Sequence, residues 1–181
     1  MSETIGTGSQ GGLWAGSDFQ EPPRTDGGVA LCGACRPARK CRLGLTTERL
    51  EPDGTARFAI ICPPSYEGGP DVAHGGWTAE ILDEVLGHVP LAHGQMSVTA
   101  ELSVSFVKPV PIDRPLEAWA RVDHREGSRW YISGELVLAA TQALLARASG
   151  IWVARDRAHF DRHRKWLAEQ DAAAASAGSD I

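Results

Sequence analysis

One stretch of helical period stands between two groups of strand-like segments, and that order restricts the fold more than any other property of the chain. From Trp77 onward the apolar residues recur at helical spacing: Trp77, Ile81 and Val85 stack on one line, with Thr78, Leu82 and Val89 beside it. The pattern predicts a helix of about fourteen residues that opens at His74-Gly75-Gly76. Ahead of it, Leu43 to Leu50 and Thr55 to Cys62 read as two strands across the turn Glu51-Pro52-Asp53-Gly54, and Pro63 and Pro64 end the second. Behind it come four stretches of period-two alternation. In the first, Val98, Ala100, Leu102, Val104 and Phe106 are expected on one face, and Thr99, Glu101, Ser103 and Ser105 on the other. Leu116 to Asp123 and Trp130 to Ala140 form an expected hairpin across Gly127-Ser128, and Ala143 to Arg155 is the last strand. A single antiparallel sheet wrapped around one long central helix buries the helix's wide apolar face with the fewest elements, so the expected class is α+β.

A chain of 181 residues with 43% hydrophobic content can build one full core without a second domain. Residues 1–28, rich in Gly, Ser, Thr and Pro with scattered Leu13, Trp14 and Phe19, are expected to form a loose arm. Residues 29–170 are the expected folded unit, closed by a short basic helix from about Ala158 to Gln170, and 171–181 an unstructured tail. A net charge of −5 argues against a general binder of nucleic acid, so an anionic ligand must be met by a local group of Lys and Arg. No apolar run reaches membrane-spanning length, and the N-terminus lacks the regions of a signal peptide, so the expectation is a cytoplasmic protein away from the membrane. Cys32, Cys35, Cys41 and Cys62 lack the two close-spaced couples of the usual structural zinc frame, since Cys62 has no near partner. The reading is four reduced thiols and no metal, with a thiolate metal site as the alternative.

The chemistry is concentrated at the helix start. A glycine pair lets backbone amides approach a ligand there, and Asp83 lies two turns further on, at the edge of the apolar stripe. Three groups of residues, Tyr66-Glu67-Gly68 leading to His74-Gly75-Gly76, then Asp83, then Thr99 to Pro109, occur in an order and spacing that resemble the hotdog-fold acyl-CoA thioesterases of the phenylacetate-pathway and 4-hydroxybenzoyl-CoA branch. The resemblance runs from about Cys32 to Val153 and implies the hotdog fold, with no cofactor. It implies that the Gly75 amide polarises the thioester carbonyl, that Asp83 acts as nucleophile or general base, that His74 orients the loop or assists the carbonyl side, and that the Thr99 hydroxyl fixes the water or the acid. Glu84 is the fallback acid, and Glu80 is read as solvated. One departure stands out: several relatives carry an asparagine ahead of the His-Gly-Gly, and Gly68 occupies the approach here.

Counting along the helix adds a prediction. Eight residues separate Gly75 from Asp83, a rise of roughly 12 Å, so one chain does not bring both to one carbonyl. A two-fold axis that sets two such helices antiparallel would place Asp83 of one copy beside Gly75 of the other. The small or polar strip Gly76, Asp83 and Gly87 would suit that approach. The expected assembly is therefore a homodimer, or a dimer of dimers, with composite sites, as the resembled family is built. Gly76 and Trp77 are expected to line the substrate, and Lys108 and Arg155 to meet the phosphates of CoA, with Arg121, Arg125, Arg129, Arg157 and the Arg162 to Lys165 group behind them. The competing functions are an acyl-CoA-binding hotdog protein without turnover, and a hotdog dehydratase or hydratase.

Overall fold

The helix after His74, α1, runs from Gly75 to Ala92 and lies across a six-stranded antiparallel sheet in a computed structural model that describes residues 21–156 and 158–177. In chain order the strands are β1 (Leu45–Leu50), β2 (Ala56–Ile61), a short pair β3 (Glu67–Gly69) and β4 (Val72–Ala73), then β5 (Ser97–Phe106), β6 (Pro115–Glu126), β7 (Arg129–Leu138) and β8 (Ala143–Ala154). The large sheet is ordered β1-β2-β6-β7-β8-β5, which makes β1 and β5 its edges. The expected single sheet around one helix is what forms. The short β3–β4 pair and the 3-10 turn Pro64–Tyr66 have no counterpart in the sequence reading, because elements of two or three residues are too short to show a period.

Helix α1 is longer than the fourteen residues expected. Pro90 falls in its last turn, where a missing N–H removes only one hydrogen bond, and the chain turns out only at Gly94, at φ 71°. The apolar stripe is buried as the spacing requires: Ile81, Leu82, Val85, Leu86 and Val89 are sealed from solvent against Ile132, Leu136, Trp130 and Trp152 on the sheet. Gly87 is needed within the chain itself. A Cβ there would stand 3.1 Å from the Trp152 indole nitrogen, so its small size seats the chain's own sheet against α1.

The alternation expected in β5 holds for Leu102 and Val104, which pack on the core, but fails at both ends. Ala100 is an extra residue between Thr99, opposite Trp152, and Glu101, opposite Ile151. A bulge of this kind reverses the phase of side chains across it, so Thr99 shares the face of buried Trp152 and points at α1. Phe106, expected on one face with Leu102 and Val104, is 59% exposed at the far end of the strand, beyond the core.

Residues 21–155 form one compact unit. Residues 21–28 belong to it rather than to a loose arm: Arg24 pairs in a bridge with Ala30 and donates to the Gly28 carbonyl at 2.7 Å. The expected arm at 1–20, with Leu13, Trp14 and Phe19, lies outside the described residues, as does Arg157. The second unit contains helix α2, Ala158–Ala177, which continues well past the expected end at Gln170 because Ala172 to Ala175 are strong helix formers. Its basic residues are tied to acids of the same unit, as in Arg162 to Asp156 at 2.9 Å. No described helix is long and apolar enough to cross a membrane.

Candidate functional site

The residues singled out at the start of α1 are held by the chain just before them. The His74 amide donates to the Tyr66 carbonyl at 2.7 Å, and Glu67 accepts the Asp71 amide at 2.8 Å, closing a turn in which Asp71 adopts φ 60°. Gly68 crosses over His74 so closely that a Cβ would stand 2.6 Å from the His74 Cα. The Tyr66-Glu67-Gly68 group thus sets the entry to the helix, which accounts for its place ahead of His74.

His74 caps α1 through its ring: Nδ1 accepts the Gly76 N–H at 2.9 Å, and its carbonyl accepts the Thr78 N–H at 3.2 Å. The Gly76 amide, expected to face substrate, is therefore used within the chain. The Gly75 amide is different. It is exposed and has no acceptor among the described residues, at the positive end of the α1 dipole. The Phe106 ring lies against it, 3.7 Å from where a Gly75 Cβ would stand.

Further along α1, the Thr99 hydroxyl donates to Asp83 Oδ1 at 2.7 Å across the gap that the bulge in β5 closes. Burial pushes the Asp83 carboxyl above the usual carboxylate range, the Thr99 bond pulls it partly back, and the nearby Glu84 and Glu80 carboxylates push it up again. Glu80, expected to be solvated, is held by the Arg42 guanidinium at 3.0 Å.

The residues singled out therefore fall into two groups at the two ends of the α1–β5 contact. Gly75, His74 and Phe106 form one, and Asp83 with Thr99 the other, separated by roughly 12 Å of helix rise. Lys108 follows β5 at the first end, whereas Arg155 donates its amide to Met96 at the second. By strand rise they are roughly 30 Å apart, so one chain does not bring both to one phosphate. Trp77 joins neither group. It is 1% exposed, and its indole N–H donates to the Leu43 carbonyl at 3.2 Å, so it anchors α1 in the core rather than lining a pocket.

A group that the sequence reading missed lies on another face of α1. His88, 7% exposed, contacts Glu48 Oε2 through Nδ1 at 2.9 Å and Glu84 Oε1 through Nε2 at 3.3 Å. Glu48 also accepts the Ala30 amide at 2.9 Å and meets Arg24 at 3.3 Å. Burial disfavours a charged imidazole, but the two carboxylates outweigh it and lift His88 to about 9. Burial likewise opposes the Glu48 charge, and His88, the Ala30 amide and Arg24 overcome it and hold its carboxyl below the usual range. The spacing of Glu84 and His88, four residues apart on a helix, was the available signal.

Comparison with known proteins adds the context of this arrangement. The thioesterase superfamily, as a family model, matches residues 71–144, which span α1 with its N-terminal cap, Asp83 and Thr99. The human acyl-coenzyme A thioesterase THEM5 is 27% identical over 105 residues, 58% of this chain and 42% of that protein, so the chain spans well under half the length of that relative. Among solved structures, the E. coli PaaI protein from the phenylacetic acid degradation operon is similar in fold at TM-score 0.57, with 22% identity over 66% of this chain and 87% of that one. The BH2602 protein of Bacillus halodurans, solved with CoA, is similar at TM-score 0.53, with 26% identity over 61% of this chain and 74% of that one.

Proposed function

We propose that the chain, which has the hotdog fold and matches the thioesterase superfamily model over residues 71–144, hydrolyses the thioester of an acyl-CoA to the free acid and CoA. The observation that carries this reading is Asp83 itself: a half-buried carboxylate with raised pKa, held on one oxygen by Thr99 and with no cation bonded to it among the described residues. A carboxylate so placed is a stronger base than an exposed one and is pointed by its single hydroxyl partner. It takes a proton from water as the water attacks the thioester carbon, or attacks that carbon directly, and CoA leaves as its thiolate. The free Gly75 amide supplies what the carbonyl oxygen needs as it gains charge. One such donor is worth about 3 kcal/mol in the transition state.

Because the two halves lie apart in one chain, we take each working site to be built from two copies, with Gly75 and His74 of one facing Asp83 and Thr99 of the other across a two-fold axis. The edge strand β5 supports this pairing. It is ten residues long, contains no Lys or Pro to blunt its free edge, and ends beside exposed Phe106 and Val107. Arg155 of one copy and Lys108 of the other then come to the same end of a shared site, where CoA phosphates can meet both. The solved relative that holds CoA favours CoA as the carrier.

The test is thiol release from short-chain, medium-chain and aromatic acyl-CoAs, followed by subunit mixing. Gly75→Pro removes the amide donor at the first helical position, where proline is tolerated and where His74 already has the extended backbone that precedes a proline. Gly75→Pro and Asp83→Asn should each be inactive alone, and their mixed dimers should regain roughly a quarter of wild-type activity, since random pairing leaves one intact site in half the dimers. A wild-type protein that binds CoA but releases no thiol from any thioester would overturn the hydrolase. Mixtures as dead as their parents would place both halves in one chain instead.

A further inference from the structure

We propose that Cys32 and Cys35 form a redox-active dithiol that closes to an intrachain disulfide by exchange with a low-molecular-weight disulfide. The pair lies in a hydrogen-bonded turn: the Cys35 amide donates to the Cys32 carbonyl at 3.1 Å and the Arg36 amide to the same oxygen at 3.2 Å. A turn closed in this way brings its first and fourth Cα atoms within about 7 Å, close to the span that a disulfide requires. All four cysteines of the chain are free.

The two sulfurs have unlike surroundings, and that difference assigns their roles. Cys32 is exposed and open to a reagent, whereas Cys35 is 3% exposed and its Sγ accepts the Arg42 amide at 3.3 Å. Burial pushes the Cys35 thiol up to about 11, so Cys32 is the thiol that attacks first and Cys35 the one that resolves. Cys41 and Cys62 are both buried in the core, Cys62 beside β2, so neither competes for Cys32. Among the described residues no three His, Cys, Asp or Glu side chains are arranged to hold a metal ion.

The exchange balances without a cofactor. The Cys32 thiolate attacks one sulfur of a disulfide RSSR, forming Cys32–S–S–R and releasing RS⁻. Cys35 gives up its proton and attacks the Cys32 sulfur, the Cys32–Cys35 bond forms, and the second RS⁻ leaves. Two electrons pass from the protein to RSSR and two RSH are produced. Arg42 joins this turn to the helix, since its amide meets Cys35 and its guanidinium meets Glu80, one turn before Asp83.

The full chain should be equilibrated in buffers of oxidised and reduced glutathione, alkylated and digested with trypsin. Arg36 precedes Pro37, which blocks cleavage, so Cys32 and Cys35 share the peptide 25–39 while Cys41 falls outside it. The expected result is loss of alkylation at Cys32 and Cys35 together, with the 25–39 peptide lighter by two hydrogens, reversed by excess reduced glutathione. Cys32→Ser should abolish the cross-link, and Cys41→Ser and Cys62→Ser should leave it intact. Full alkylation in every buffer, a glutathione adduct that stays on Cys32, a link to Cys41, or protection removed by a chelator without the mass loss would each overturn the proposal. The wild-type peptide map decides the matter even if Cys35→Ser fails to fold.

Discussion

Asp83 and Glu84 are neighbours in sequence and face different worlds. Asp83 is half-buried against β5 with a single neutral partner, the Thr99 hydroxyl, and two acids nearby that repel its charge. Glu84 turns to the β1 side, where His88 and Glu48 complete a buried ionic group that reaches Arg24. One carboxylate is desolvated with only a hydroxyl bonded to it among the described residues, and the other is spent on holding segments together. One step along a helix turns a side chain by about 100°, enough to separate a group suited to chemistry from one suited to structure.

The sharpest way to break this contrast is Asp83→Asn, which keeps the shape and removes the base. Thioester hydrolysis should fall by roughly 10²–10⁴-fold, with the unfolding midpoint unchanged or slightly raised, because the carboxylate is strained by burial and repulsion. Equal activity in the variant would remove Asp83 from the chemistry.

Next in size is His88→Leu, which leaves Glu48 buried without its imidazolium and should cost about 3–5 kcal/mol in denaturant unfolding, while kcat per folded molecule changes little. The same group sets a pH dependence. His88 titrates near 9 in the folded protein against 6.5 when free, so its stabilisation is complete below about pH 6.5 and is lost as pH rises through 9. That loss amounts to about 3 kcal/mol. Wild-type melting temperatures should fall across this window, and those of His88→Leu should not; parallel curves would show that His88 is not the group responsible.

The smallest expected effect is Thr99→Val. Losing one aligned hydrogen bond should lower kcat about tenfold, and because that bond pulls the Asp83 pKa down, the acid limb of the rate profile should move to higher pH. A limb that stays in place would mean that Thr99 holds something other than the acid.

Much of the site was readable in advance because its parts are local. A histidine cap, a glycine pair and an acid two turns on are consecutive features of one helix, and their spacing alone gave the separation of Gly75 from Asp83. What was not readable depended on contacts between distant segments. The resemblance pairs Thr99 with the acid and its hydroxyl does bond Asp83, but simple alternation does not contain the extra residue Ala100 that turns it there. Trp77 carried the same apolar signal whether it lined a pocket or filled the core. Lys108 and Arg155 are both cations after a strand, and nothing in their order showed that those strand ends point in opposite directions.

By itself the sequence determined the class of fold, one helix in one antiparallel sheet, because hydrophobic period is a property of successive residues and reports directly which face each element must bury. It also determined the chemical vocabulary of the site. The tertiary structure decided which of those groups have partners: the Gly76 amide satisfied by His74 and the Gly75 amide left open, Glu84 paired with His88 and Asp83 bonded by Thr99. Hydrogen-bond satisfaction and desolvation arise only when segments far apart in the chain are packed together, so no count along the sequence contains them.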